Sequence, residues 1–284
     1  MKLLVTGCNG QLGSEIQELA GSFSDYSFVF TDVHNLDLTD HETVKEFIQQ
    51  GNFDVMINCA AYTAVDKAET DEALCDAINH KAVKTLAEAA RANKIKLVHI
   101  STDYVFDGTK TTPYTEEDLP NPQSVYGLTK LQGEQAMQKI NPANSIIIRT
   151  SWVYSSYGNN FVKTMLRLGA EREELNVVSD QIGSPTYARD LAKAILEILP
   201  KIKNDNVELY HYANAGTCSW YDFAKAIFKI KGMKVKVNPI PTSQYPTPAK
   251  RPMYSVMDSS KFRKQYRENM PQWERSLKDC LIKI

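Results

Sequence analysis

Tyr126 and Lys130 lie four residues apart in the stretch Ser124-Val-Tyr126-Gly-Leu-Thr-Lys130. On a helix both side chains leave the same face, one turn apart. A phenol beside an ammonium is a proton-transfer unit, because the positive charge favours the phenolate and lowers a tyrosine pKa that is otherwise about 10. A hydroxyl such as that of Thr102, at the end of the apolar run Val98-His-Ile-Ser101-Thr102-Asp103, can hold the phenol in place. The pair alone is a weak signal. The competing reading is a surface tyrosine and a lysine paired with Glu134, one turn further on, in the less favourable orientation with Lys N-terminal to Glu.

A second group of residues suits phosphate binding. The apolar run Leu3-Leu4-Val5 stops at Thr6-Gly7-Cys-Asn-Gly10-Gln11-Leu12-Gly13, and a helical pattern follows with Leu12, Ile16 and Leu19 on one face. A strand, a glycine-rich turn and a helix start form a cradle: glycines admit the pyrophosphate, and the helix N-terminus supplies N–H groups and a favourable dipole. The spacing is G-x-x-G-x-x-G rather than G-x-G-x-x-G. Asp32, nineteen residues after Gly13, ends the next strand, Tyr26–Thr31, where an acid binds the adenosine ribose hydroxyls. Asp37 and Leu38 follow; Thr39 with Glu42 reads as a capping box for a helix running to about Gln50. The small residues Cys59, Ala60 and Ala61, with Tyr62 and Thr63, end a third strand and let backbone lie against a cofactor.

The elements that must position these groups alternate strand and helix. A long helix is expected from about Asp71 to Asn93, a fourth strand over Ile95–Ile100, a loop over 108–123, the Tyr126–Lys130 helix to about Ile140, and a fifth strand over Ser145–Arg149. The pattern predicts an α/β fold, a doubly wound parallel sheet of Rossmann type, in which ligands sit beyond the carboxyl ends of the strands. Every motif named lies there. Beyond residue 150 the texture changes: a helix near 161–170, a sixth strand near Leu175–Val178, a Ser219/Asp222 capping box and a proline-punctuated stretch from Pro239 to Pro252. The expected division is a dinucleotide-binding domain over 1–150 and a smaller mixed α/β substrate domain over 151–284, with about 155–180 returning to the first.

A chain of 284 residues, 43% hydrophobic and 24% charged, supports one large domain or two modest ones. A net charge of −1 offers no basic face for nucleic acid or an acidic membrane. Five cysteines, odd in number and without a C-x-x-C, form neither a disulfide framework nor a zinc site and suit a reducing cytoplasm. The opening Met-Lys-Leu-Leu-Val leads straight into the glycine motif, so no signal peptide is expected, and no apolar run reaches membrane-spanning length.

With these motifs placed, the chain resembles the extended short-chain dehydrogenase/reductase superfamily and, within it, the dTDP-4-dehydrorhamnose reductases, over nearly its whole length. The stretches that carry the resemblance are Gly7 to Gly13, Ala61 to Glu69, Ser101 to Gly108 (STDYVFDG), Tyr126 to Glu134, Arg149 to Tyr154 (RTSWVY), Asn159-Asn160-Phe161, Asp180-Gln181 with Pro185-Thr186, and Tyr245-Pro-Thr-Pro-Ala with Arg251-Pro252. The resemblance implies reduction of a nucleotide-sugar ketone at C4 by NADH or NADPH. It makes Tyr126 the proton donor, has Lys130 hold the nicotinamide ribose and depress the Tyr126 pKa, and has Thr102 orient the phenol. It lines the cofactor with Gly10, Gln11, Leu12, Asp37, Leu38, Ala61, Tyr62 and Thr63, and sets Asp103, Trp152, Asn160 and Arg251 against the nucleotide sugar.

There are departures. Some members bind Mg²⁺ at a dimer interface through acids on the first helix and on the helix after the Pro-Thr motif. Glu15 is present here, but Arg189 stands where the second acid belongs, so the expectation is no metal and a monomer or weak homodimer. The related dehydratases carry Thr-Asp-Glu at the strand end where this chain has Tyr104, and epimerases usually carry a second Ser or Ala, which argues against both. A non-catalytic reading, similar to the regulatory subunit of methionine adenosyltransferase, is disfavoured by the full Thr102, Tyr126, Lys130 set.

Overall fold

The computed structural model describes residues 1–284. The first half runs β1 (Lys2–Thr6), α1 (Gln11–Leu19), β2 (Ser27–Thr31), α2 (His41–Gly51), β3 (Val55–Asn58), α3 (Val65–Ala68), α4 (Glu72–Asp76), α5 (Ala82–Asn93), β4 (Lys96–Thr102), α6 (Val125–Ile140) and β5 (Ile146–Thr150). The second half runs β6 (Val153–Tyr154), α7 (Phe161–Glu171), β7 (Glu174–Val178), β8 (Ile182–Gly183), β9 (Thr186–Tyr187), α8 (Ala188–Ile198), β10 (Glu208–His211), β11 (Cys218–Ser219), α9 (Trp220–Lys231), β12 (Lys236–Ile240), α10 (Ser260–Tyr266) and α11 (Trp273–Ile282).

Six strands form one parallel sheet in the order β10-β5-β4-β3-β1-β2. Its central strands carry apolar runs, Leu3-Leu4-Val5 and Ile146-Ile147-Ile148 among them, because both faces are covered and these side chains are buried. Leu12 and Ile16 of α1 pack with Leu191 and Ile195 of α8 on one face, joined by Phe262 of α10. On the other, Val44 and Ile48 of α2 meet Val83 and Leu86 of α5 and Met137 of α6. Strand order reverses between β1 and β3, and a crevice opens at such a point beyond the strand ends.

Four expectations from the sequence need correction. Thr39 is not the cap of α2: Asp40 is, accepting from the Thr43 N–H, while Thr39 bonds the Asp37 carboxylate. The helix expected over Asp71–Asn93 is interrupted by a wide π turn at Ala77–Lys81. The strand at 174–178 does not join the main sheet; it pairs with β12, and the sixth sheet strand is β10. Of the segment 155–180, the start reaches the cofactor domain, with Ser155, Tyr157 and Asn160 bonded to Glu15, Glu18 and Gln11 of α1, and the remainder packs elsewhere. Val162, Met165, Leu175 and Val177 pack with Phe223 and Ile227 of α9 in a separate core. The returning elements are α8, β10 and α10, which supply apolar faces to the main sheet.

Candidate active site

The glycine loop joins β1 to α1. Gly7 has φ +65°, and a Cβ there would sit 2.6 Å from the Ala60 nitrogen. Gly13 is a packing glycine: a Cβ would lie 2.4 Å from the Gly7 carbonyl oxygen, so the first turn of α1 closes directly on the loop. Gly10 starts α1 with no side-chain cap, leaving the helix N-terminus to an outside acceptor. Beside it lies a cavity of about 380 Å³, bounded by Gly7, Gly10, Asp32, Asp37, Leu38 and Ala60–Ala61. Sequence reasoning missed part of the wall: Asn9, Val33, Leu36 and, from the π turn, Ile78. No Lys or Arg borders this cavity. Asp32 is pinned there, one oxygen accepting from the Asn9 N–H at 3.0 Å and the other from the Val33 N–H at 2.8 Å. A glycine cradle, an uncapped helix start and a ribose-side carboxylate fit a dinucleotide.

Gln11, Leu12, Tyr62 and Thr63, also expected to line the cofactor, do not border this cavity. Leu12 is buried in the core under α1. Gln11 reaches across to the Val153 carbonyl and to Asn160. Tyr62 exchanges bonds with Asn79 through its backbone and gives its hydroxyl to Asp71, and Thr63 is exposed.

Ser124 caps α6 by accepting from the Gly127 N–H, which fixes the helix start at Val125 and sets Tyr126 in its first turn. Tyr126, Lys130 and Glu134 are all buried, which rules out the surface-pair reading. Glu134 instead forms a two-pronged ion pair with Arg149 of β5, at 2.9 and 2.6 Å, and accepts from the Ser101 hydroxyl at 2.5 Å. Lys130 donates to the Ile100 carbonyl at 2.6 Å, and burial brings its ammonium down to about 8 against the opposing pull of Glu134 and Cys75. The expected depression of the Tyr126 phenol by Lys130 is not found. Burial pushes that phenol up, and the Thr102 hydroxyl is the group that lowers it. Burial is the largest influence on the phenol, and the Lys130 ammonium is bonded to a backbone carbonyl rather than to it. Tyr126 is thus a protonated phenol, ready to donate.

Around the phenol, the Tyr104 ring stands edge-on to Tyr126 with centroids 5.5 Å apart. Asp103 follows Thr102, accepts from its hydroxyl at 3.0 Å, and is raised to about 6 by burial; its second oxygen has no partner. Trp152 stacks on Trp220 at 3.5 Å. A larger cavity, about 780 Å³, opens beyond Trp220 and is bordered by Phe161, Gln181, Tyr245 and Arg251. Arg251 is held to Asp66 at 2.6 Å. Asn160 does not offer a free amide to a substrate: it caps α7 at the Lys163 N–H and gives its own N–H groups to Gln11 and Ser155.

A parallel doubly wound sheet with Thr102, Tyr126 and Lys130 at its carboxyl edge, and a cavity along its glycine loop, defines an extended short-chain dehydrogenase/reductase. The family profile described as RmlD substrate binding domain matches residues 1–284. A dTDP-4-dehydrorhamnose reductase of Sinorhizobium fredii is 43% identical, covering 97% of this chain and 95% of that one. The crystal structure of a dTDP-4-dehydrorhamnose reductase from Clostridium acetobutylicum superposes with a TM-score of 0.93 at 45% identity, covering 99% of each chain. That of a Bacillus anthracis dTDP-4-dehydrorhamnose reductase in complex with NADP superposes with a TM-score of 0.95 at 41% identity, over 100% of this chain and 99% of that one. The chain belongs to the dTDP-4-dehydrorhamnose reductase family.

Proposed function

We propose that this protein reduces the C4 ketone of dTDP-4-dehydro-L-rhamnose to give dTDP-L-rhamnose, the rhamnose donor for cell-surface polysaccharide. NADH or NADPH, bound along the glycine loop, supplies the hydride. Tyr126 donates its proton to the C4 oxygen as negative charge develops there, and the burial of its phenol beside Thr102 at the carboxyl end of the sheet is the observation that carries the reading. Thr102 orients the phenol and tunes it. Lys130, at the foot of the site, holds the nicotinamide ribose and supplies a positive field during transfer. Asp103 and Trp152 border the sugar, and the cleft bordered by Trp220, Tyr245 and Arg251 receives the thymidine diphosphate. The working division is a cofactor-binding body built on the six-stranded sheet and a smaller substrate-binding lobe around α7, β7, α9 and α11.

No helix is long and apolar enough to cross a membrane. Five unpaired cysteines and a dinucleotide-dependent chemistry suit the cytoplasm, and the protein works as a monomer or weak homodimer. The test is direct: incubate purified protein with dTDP-4-dehydro-L-rhamnose and NADH or NADPH and follow loss of the reduced-nicotinamide absorbance. Failure with both cofactors refutes the reading.

A further inference from the structure

The buried ion pair of Glu134 and Arg149 lies outside the proton-transfer step, yet it touches every element that carries a catalytic group. Glu134 sits on α6, one turn beyond Lys130 and two beyond Tyr126. Its carboxylate takes the hydroxyl of Ser101, the residue before Thr102 on β4. Arg149 stands on β5 directly opposite Ser101 in the strand register, and its guanidinium lies 5.1 Å over the Phe106 ring. A buried pair of this kind costs desolvation that its own attraction only partly offsets, so its presence is weak evidence for a stabilising role alone.

We propose that Glu134 is a positioning residue for the reduction: its carboxylate provides the negative charge that keeps Lys130 an ammonium and, through Ser101 and Arg149, fixes α6 against the strand bearing Thr102. This rests on the reading of Lys130 as the residue that holds the nicotinamide ribose. The Lys130 ammonium is buried with one partner, the Ile100 carbonyl. The groups facing it are few. His99 of β4 is buried and kept neutral, Cys75 of α4 is a thiol raised by burial, and Tyr126 is a protonated phenol. Glu134, one turn along α6 from Lys130, is therefore the carboxylate that opposes the effect of burial on the lysine, and Arg149 holds that carboxylate in place.

The test is the pH dependence of NADH binding, read from the nicotinamide fluorescence of the complex without substrate, alongside the pH profile of kcat/KM. In wild type, affinity falls as pH rises through about 8, where Lys130 loses its proton. In Glu134→Gln that break moves down by about one pH unit, so that binding at pH 8 weakens about fivefold relative to wild type, approaching tenfold above pH 9, while binding at pH 6 stays nearly unchanged. Ser101→Ala, which deletes a hydrogen bond but leaves the charge, keeps the break at the wild-type pH. An equal loss at every pH in Glu134→Gln means a purely structural pair and overturns the proposal. So does a downward move of the break in Ser101→Ala, which decides the matter if the Glu134 variant does not fold. A wild type that binds NADH with this break but does not turn over the nucleotide sugar refutes the proposed substrate and leaves the Glu134 assignment standing.

Discussion

Asp32→Ala is expected to change which cofactor the protein prefers. The Asp32 carboxylate borders the cavity beside α1 and is held from both sides by the N–H groups of Asn9 and Val33, so it cannot swing away from an adenosine ribose. A ribose diol can donate to it; a 2′-phosphate meets it with like charge. Two unit charges about 4 Å apart repel by about 4 kcal/mol at an effective dielectric of about 20. The two N–H partners and the solvent at the cavity mouth reduce this to about 1–2 kcal/mol, a factor of about 5–30 in kcat/KM. Asp37 adds a second acid to the same wall, and no cation borders it to receive the phosphate. Wild type should therefore use NADH at least as well as NADPH, and Asp32→Ala should bring the ratio towards one mainly by improving NADPH. The assay is steady-state kcat/KM for both cofactors in both proteins, with Tm measured because the substitution also frees the Asn9 N–H. A strong NADPH preference in wild type, unchanged by Asp32→Ala, would show that this carboxylate does not read the ribose.

Three further outcomes follow from the geometry. Tyr126→Phe removes only the phenolic proton from a buried ring, so kcat should fall by about 10²–10⁴-fold with cofactor affinity kept; near wild-type turnover removes Tyr126 from the mechanism. Activity should be complete in EDTA, because Glu15 is already bonded to Ser155 at 2.6 Å and to Arg189 at 3.2 Å, and Glu18 to Arg189 and Lys283; loss on chelation with recovery on Mg²⁺ contradicts this. Gly7→Ala forces a left-handed backbone on alanine and drives its Cβ against the Ala60 backbone, a cost of about 2–5 kcal/mol that thermal denaturation should record as a lowered Tm; an unchanged Tm with unchanged NADH affinity refutes the account of the loop.

The parts of this molecule that could be read from the sequence are those set by local pattern. Apolar runs gave the buried parallel strands, and glycines between a strand and a helix gave the loop, because both signals are complete within a dozen residues. Strand β10 escaped because Glu208–His211 is four residues with a charged start, and only its pairing with β5, some sixty residues earlier, makes it a strand. The π turn escaped for a related reason. Asn79 earns its place by bonding both the N–H and the carbonyl of Tyr62, seventeen residues back, and no local pattern announces that demand. The same limit governs the chemistry. Spacing put Tyr126 and Lys130 on one helix face, but which partner the ammonium chooses depends on the β4 carbonyls beneath it. Once Nζ is committed to Ile100, the phenol is governed by burial and Thr102, and the lysine charge comes to depend on Glu134. The acid of the reaction is therefore a property of the packed layers around α6 rather than of a Tyr-x-x-x-Lys motif, and substitutions in the motif's surroundings should alter its pH behaviour as surely as substitutions within it.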